Sequence, residues 1–417
     1  MVGRERLRIA QVAFALHCRG GVEKSAYELC LRLAADHEVH VFAERCELSC
    51  PGLTVHPVRP VSRPWLLRHM AFFFSSARSL KEEAGYRPFD IVHVHSPCAA
   101  RCDLATAHSV YRVGERCIRP HLTRLQRARR RLTAGGPALP AIAAYNYQPR
   151  RCARVIAVSR KVKREVMDSF GMPEDRVDVV YCGVDSEKFH PNTAKRVRER
   201  LRSQMKLAPQ AVAAIFVANV FKGKGLDVLL RAAALLGPRE RPYLIVVGET
   251  RDRNFSLDAA RRMARDLGLA EWVRFLGKVE RVEELYAAAD LFCMPTLYEA
   301  FGQVVTEAMA SGLPVIVSRA AGVAEILQEG REALLLEDPS DPREVAARLR
   351  VLAASPDLRE RMGAAARRTA LTCSWDRVAE LNLASYRSVL LCREKLCGAG
   401  ALACGSWQPG AAAPYLS

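Results

Sequence analysis

No run of apolar residues in this chain approaches the roughly 20 needed to span a bilayer as a helix. The candidate nearest the start, residues 9–16, is short and contains Gln11, and no small-residue cleavage site with a polar stretch follows it. It reads as a first strand rather than a secretion signal, so the expected location is cytoplasmic. A Cys/His-rich knuckle is also missing. Cys46 and Cys50, like Cys98 and Cys102, have three residues between them and lie outside any zinc pattern of the usual kind, which argues against a metal centre. The fourteen cysteines are therefore expected to be reduced thiols packed as small hydrophobes. Acidic residues are scarce beside basic ones, 45 against 63, leaving a net charge of +18. Few aromatics interleave with the basic stretches, which counts against a stacking platform for nucleic acid.

The basic excess is clustered. Arg112, Arg116, Arg119, Arg124, Arg127, Arg129, Arg130 and Arg131 occur against one acid, Glu115, and a second cluster holds Arg150, Arg151, Arg154, Arg160, Lys161, Lys163 and Arg164. Such a surface attracts a polyanion: an anionic membrane face, a phosphorylated glycolipid or nucleic acid. The plain alternative is a solvated surface. Arg127, Arg129, Arg130 and Arg131 are the residues expected at a membrane or acceptor surface, which would make the protein peripheral on the inner face of the plasma membrane.

At 417 residues the chain is too long for one ordinary core. Short β-branched runs alternate with amphipathic stretches, which argues for parallel sheets layered with helices. Strands are expected at residues 9–14, 39–42, 91–94, 104–107, 155–158 and 177–180, then at 213–217, 244–247, 273–276, 291–294, 315–317 and 333–336. The fold class is α/β: two doubly wound Rossmann-like domains facing across a cleft. The first covers residues 1–190 and the second 206–375, with a charged linker containing Pro191 at about 183–207. A helix over 376–395 is expected to pack back toward the first domain. The Gly-, Ala- and Pro-rich tail at 396–417 is expected to be disordered.

Open parallel sheets bind ligands beyond the carboxyl ends of their strands, and the polar and glycine-rich motifs fall there. Gly20 and Gly21 follow the first strand, His108 the strand at 104–107, Lys222 and Lys224 the strand at 213–217, and Glu249 the strand at 244–247. Glu299 and Glu307, with seven residues between them, bracket Phe301 and Gly302 directly after the apolar run at 291–294. That spacing predicts a strand end, a short loop and a helix whose first N–H groups favour an anion, with carboxylates placed to grip hydroxyls. A nucleotide sugar supplies both diphosphate and hydroxyls. The bland alternative makes Glu299 a dipole partner and Glu307 a solvated helix residue. His93 and His95 read as packed strand residues, since alternate strand positions point the same way; Gly20 and Gly21 could serve only a tight turn.

Taken in order, the motifs Arg19-Gly20-Gly21-Val22-Glu23, Asp90-Ile91-Val92-His93-Val94-His95, Thr106-Ala107-His108, Val158-Ser159, Gly183-Val184-Asp185, Lys224-Gly225-Leu226-Asp227, Tyr298-Glu299-Ala300-Phe301-Gly302 to Glu307-Ala308 and Gly312-Leu313-Pro314-Val315 resemble those of family 4 glycosyltransferases of the two-Rossmann GT-B type. The layout is most similar to the lipopolysaccharide-core branch. This resemblance implies retaining transfer of a sugar from a nucleotide-diphosphate donor, UDP favoured over GDP, to a glycan or glycolipid acceptor, with no metal or other cofactor. It implies catalytic roles for Lys224, Glu299 and His108. Glu307 would bind the ribose, Glu299 with Phe301, Gly302 and Gln303 the sugar and diphosphate, and Gly20, Gly21, Asn219, Lys222, Glu249 and Ala300 would complete the donor site. One departure stands out: the family carries Gly-Arg where this chain has Ala218-Asn219, so Lys222 is the expected replacement cation. Two rival readings, a nucleotide-sugar epimerase on the same scaffold and a basic nucleic-acid-binding protein, leave respectively the extra acids and bases unidentified and the Glu299–Glu307 constellation unexplained.

Overall fold

A computed structural model describes residues 6–59, 65–127, 138–249 and 255–398. The chain forms two compact units. The first takes in the described residues up to Arg116, then Leu122–Gly183 and the segment from Trp375; the second is Cys117–His121 with Val184–Ser374. The boundary thus falls at Gly183, and the stretch expected as a linker holds a helix of the second unit, Pro191–Gln204, opened by Pro191 and capped by the His190 ring accepting from Asn192 N–H at 3.0 Å. Proline suits the first helical turn because its missing N–H has no intrahelical partner there.

In the first unit the strands are β1 Arg8–Val12, β2 Ala15–Leu16, β3 Glu38–Ala43, β4 Arg45–Cys46, β5 Leu53–Pro57, β6 Ile91–His95, β7 Leu104–Ala107, β8 Arg154–Ala157 and β9 Val177–Val179. Seven make one sheet, ordered β5-β3-β1-β6-β7-β8-β9, and β2 pairs separately with β4; every pairing is parallel. Strands β1, β6 and β7 are buried at every position, as a sheet covered on both faces requires. Strand β5 was not expected from the pattern. It is an edge strand with most side chains at least partly exposed, so its residues carry little hydrophobic signal. The second unit has β10 Ala213–Val217, β11 Tyr243–Val247, β12 Val273–Gly277, β13 Leu291–Met294, β14 Val315–Ser318 and β15 Ala333–Leu336, in the parallel order β12-β11-β10-β13-β14-β15. Strand order reverses between β1 and β6 in one unit and between β10 and β13 in the other.

The same device pins both reversal points. Asp90, just ahead of β6, accepts from Arg8 N–H at 2.7 Å. Asp290, just ahead of β13, accepts from Ala213 N–H at 2.8 Å. Each carboxylate thereby satisfies an N–H at the start of the central strand that no ladder partner takes. Asp290 also holds Arg198 at 2.6 Å.

The helix Trp375–Gly398 lies in the first unit and completes its core. The Tyr386 hydroxyl accepts from Gln11 Nε2 at 2.9 Å and donates to His93 Nδ1 at 2.7 Å. His93 Nε2–H then donates to Thr106 Oγ1 at 2.7 Å, and His95 Nε2–H to Gln11 Oε1 at 2.8 Å. His93 and His95 are thus hydrogen-bonded core residues. Burial lowers His93 to about 3 and His95 well below the usual histidine range, so both rings are neutral at pH 7. The twelve described cysteines from Cys18 to Cys392 are free thiols, and no helix among the described residues is long and apolar enough to cross a membrane.

Tyr386→Phe keeps the ring but strands Gln11 and His93 in the core. It should cost about 1–3 kcal/mol of stability, the penalty of an unmade buried hydrogen bond. Chemical denaturation read by the first unit's transition checks this, and a loss within a few tenths of a kcal/mol would dismiss the network as a stabilising element.

Candidate functional site

The reversal point of the second sheet brings two loops together, 218–225 after β10 and 295–302 after β13. Their meeting is tight. Leu297 N–H donates to Gly223 O at 3.1 Å, and the buried Thr296 hydroxyl lies 3.2 Å from Gly223 O and 3.0 Å from Tyr298 O. Gly225 stands at φ +80°, and a Cβ there would run into the Pro295 carbonyl. Glycine is required on both counts.

This stitching delivers Lys224 to Glu299. Lys224 Nζ is 2.6 Å from Glu299 Oε2 and 3.3 Å from Tyr298 O, with the two side chains 24% and 17% exposed. The pair is partly desolvated yet within reach of a ligand. Gly302, at φ +115° and ψ 61°, caps the helix Gln303–Ala310, whose first N–H groups carry the positive end of the helix dipole. The carbonyls of Glu299 and Phe301 accept from Gly322 N–H at 3.1 Å and Val323 N–H at 2.8 Å. The loop is therefore tied to the segment after β14 as well as to β10. Ala300, Phe301 and Gly302 are buried and Gln303 half-buried.

Glu307 is buried, at 7% exposure, which overturns the alternative of a solvated helix residue. Its Oε2 accepts from the Tyr286 hydroxyl at 3.3 Å. Burial, and then the Glu307 charge, hold the Tyr286 phenol well above its usual range, so it stays protonated and donates. Tyr286 sits in a short helix with no motif around it, and nothing in the sequence pattern marked it.

Other expected residues are placed differently. Lys222 forms an ion pair with Asp227 in the first turn of the next helix, Leu226–Ala234, so its charge is already matched. Asn219 and Glu249 are exposed after β10 and β11; residues 250–254, including Arg253, lie outside the described residues. In the first unit Gly20 precedes the helix Gly21–Asp36 with φ −140° and ψ 156°, and neither Gly20 nor Gly21 has a positive φ. His108 follows β7 and is 9% exposed. Burial lowers it to about 4, so the ring is neutral at pH 7. Of the basic residues, Arg112, Arg116, Arg119 and Arg124 are exposed, Arg127 donates to Leu122 O at 3.0 Å, and Arg129, Arg130 and Arg131 lie outside the described residues. In the second cluster Arg154 pairs with Asp178 at 2.7 Å and Lys163 with Glu174 at 3.5 Å. That cluster is partly neutralised.

Comparison with known proteins agrees with this layout. The family model for glycosyl transferases group 1 matches residues 197–369, and that for glycosyltransferase family 4 matches residues 19–188. The D-inositol 3-phosphate glycosyltransferase of Geodermatophilus obscurus is 30% identical over 364 residues, which cover 81% of this chain and 76% of that protein. Among solved structures, WaaG, a glycosyltransferase involved in lipopolysaccharide biosynthesis, has a TM-score of 0.73 at 22% identity and covers 90% of this chain and 98% of its own. HepE from Anabaena, solved in complex with UDP-glucose, has a TM-score of 0.69 at 18% identity and covers 92% of this chain and 100% of its own. The chain belongs to the family 4 glycosyltransferases and has their GT-B type fold.

Proposed function

We propose that this protein is a retaining glycosyltransferase that moves a sugar from a nucleotide-diphosphate donor, UDP-linked in preference to GDP-linked, to a glycan or glycolipid acceptor in cell-surface polysaccharide assembly such as that of lipopolysaccharide. The observation that carries the reading is the Lys224–Glu299 pair, 2.6 Å apart at the strand-order reversal beside the Gly302-capped helix. A diphosphate at that helix terminus draws Lys224 from Glu299 and frees the carboxylate to accept from sugar hydroxyls. As the bond from the sugar's anomeric carbon to the phosphate oxygen breaks, negative charge grows on the β-phosphate. Lys224 and the helix N–H groups stabilise it, and this is the main catalytic lever.

The acceptor hydroxyl attacks the face from which the phosphate departs and gives its proton to that phosphate, so configuration is retained without an enzyme nucleophile. Glu307, oriented by Tyr286, accepts from the ribose hydroxyls. His108 supplies a neutral ring for a sugar hydroxyl. Lysine and backbone dipoles carry the charge in this scheme, so it calls for no metal cofactor. HepE's complex with UDP-glucose supports a UDP-sugar donor. The exposed Arg112, Arg116, Arg119 and Arg124 support docking on an anionic membrane surface or lipid acceptor.

Lys224→Ala should lower turnover by roughly 10² to 10³, the scale seen when one preorganised charge stabiliser is lost; transfer from a panel of nucleotide sugars measures it, and full-rate turnover would remove Lys224 from catalysis. Glu307→Gln preserves size but loses charge, and it should weaken nucleoside diphosphate binding by about tenfold, the weight of one charge-assisted hydrogen bond. Calorimetry showing equal affinity would end the ribose assignment. Reversing Arg127, Arg129, Arg130 and Arg131 to glutamate should reduce sedimentation with phosphatidylglycerol vesicles, whereas an unaltered bound fraction leaves the cluster a solvated surface.

A further inference from the structure

Around one cavity of the first unit, His95 Nδ1, His108 Nε2, Trp375 Nε1 and Asn382 Oδ1 are buried with no hydrogen-bond partner. All four residues line one small cavity beneath the carboxyl ends of β7 and β8. Their exposures are 3%, 9%, 2% and 3%, so bulk water does not compensate them. About 20 Å³ of the cavity admits the centre of a water-sized sphere, the room one water molecule needs.

The donor and acceptor roles follow from the surrounding bonds. His95 is neutral and spends its Nε2–H on Gln11 Oε1, so Nδ1 turns a lone pair to the cavity. Asn382 spends its Nδ2 on Val378 O at 2.8 Å, so Oδ1 is the atom left as an acceptor. Trp375 Nε1 can only donate. Of the four unpartnered atoms, two are therefore acceptors and one a donor before His108 is counted. A water molecule gives two hydrogen bonds and receives two. Balance is reached when His108 donates, with its proton on Nε2.

We propose that this cavity is a water-binding site in which one ordered water receives from Trp375 and His108, gives to His95 and Asn382, and thereby holds His108 as the Nε2–H tautomer. Trp375 and Asn382 are positioning residues for His108, contributed by the terminal helix. The inference concerns the ring alone and stands whether or not His108 meets a sugar.

Nitrogen-15 imidazole spectra of the full chain at pH 7 test it. The wild type should show His108 neutral, with Nε2 protonated and Nδ1 bare. Asn382→Leu removes one acceptor, and Trp375→Phe removes the indole donor. Each should shift the His108 tautomer ratio by about fivefold or more, the weight of one net hydrogen bond. A high-resolution crystal structure of the wild type should place a water within hydrogen-bonding distance of at least three of the four atoms. A wild-type His108 protonated on Nδ1, a ratio unmoved in the folded variants, or a dry cavity overturns the proposal; the wild-type spectrum and structure decide even if a variant does not fold.

Discussion

The reversal of strand order in a parallel sheet is the constraint on which the rest of this molecule rests. Where neighbouring strands on either side of a central strand lead off in opposite directions, their connecting loops separate and leave the carboxyl ends of two strands open between them. In the second unit that opening lies between β10 and β13. Lysine and glutamate 75 residues apart meet there. The Thr296 hydroxyl and the close pass of Gly225 under Pro295 hold the two loops in contact, so the ion pair results from packing rather than from the flexibility of a long lysine.

Placement also divides labour among the charged groups. Lys222 is balanced by Asp227 and Lys224 by Glu299, two residues apart in one loop but with different partners. The first pair ties the loop to the first turn of the helix that follows it. The second joins two loops. Glu307 stands in a third condition, buried against a phenol that burial keeps protonated. Its carboxylate is therefore held in one orientation rather than free in solvent.

Much of this was legible in the sequence because it was written in local pattern. Residues 213–217, 291–294 and 333–336 are strands with the expected bounds, each a fully apolar or nearly apolar run between polar turns. The glycine and acid spacing from Glu299 to Glu307 announced a loop and a capped helix, and both are present. What escaped was set by partners far along the chain. Strand β5 is an edge with little apolar contrast. Tyr286 has no motif, and its role comes from Glu307 one strand later. The Gln11–Tyr386–His93 network joins residues separated by up to 375 positions, a distance over which periodicity carries no information. The expected linker began at Gly183, where the units divide, but ran on to 207 because a charged, proline-containing stretch reads as linker when its amphipathic face is short of strong hydrophobes, as in Pro191–Gln204.

The late arrival of those partners bears on how the chain is made. The central strands of the two sheets receive their pinning aspartates 82 and 77 residues after they emerge. The second unit is closed within its own continuous run, which ends at Ser374. The first unit, begun earliest on the ribosome, cannot seal Gln11 and His93 until Tyr386 has been synthesised. Although domains generally mature from the amino end during translation, here the order inverts: the half that starts first finishes last, and a polypeptide halted before residue 386 leaves its nascent core with open polar groups.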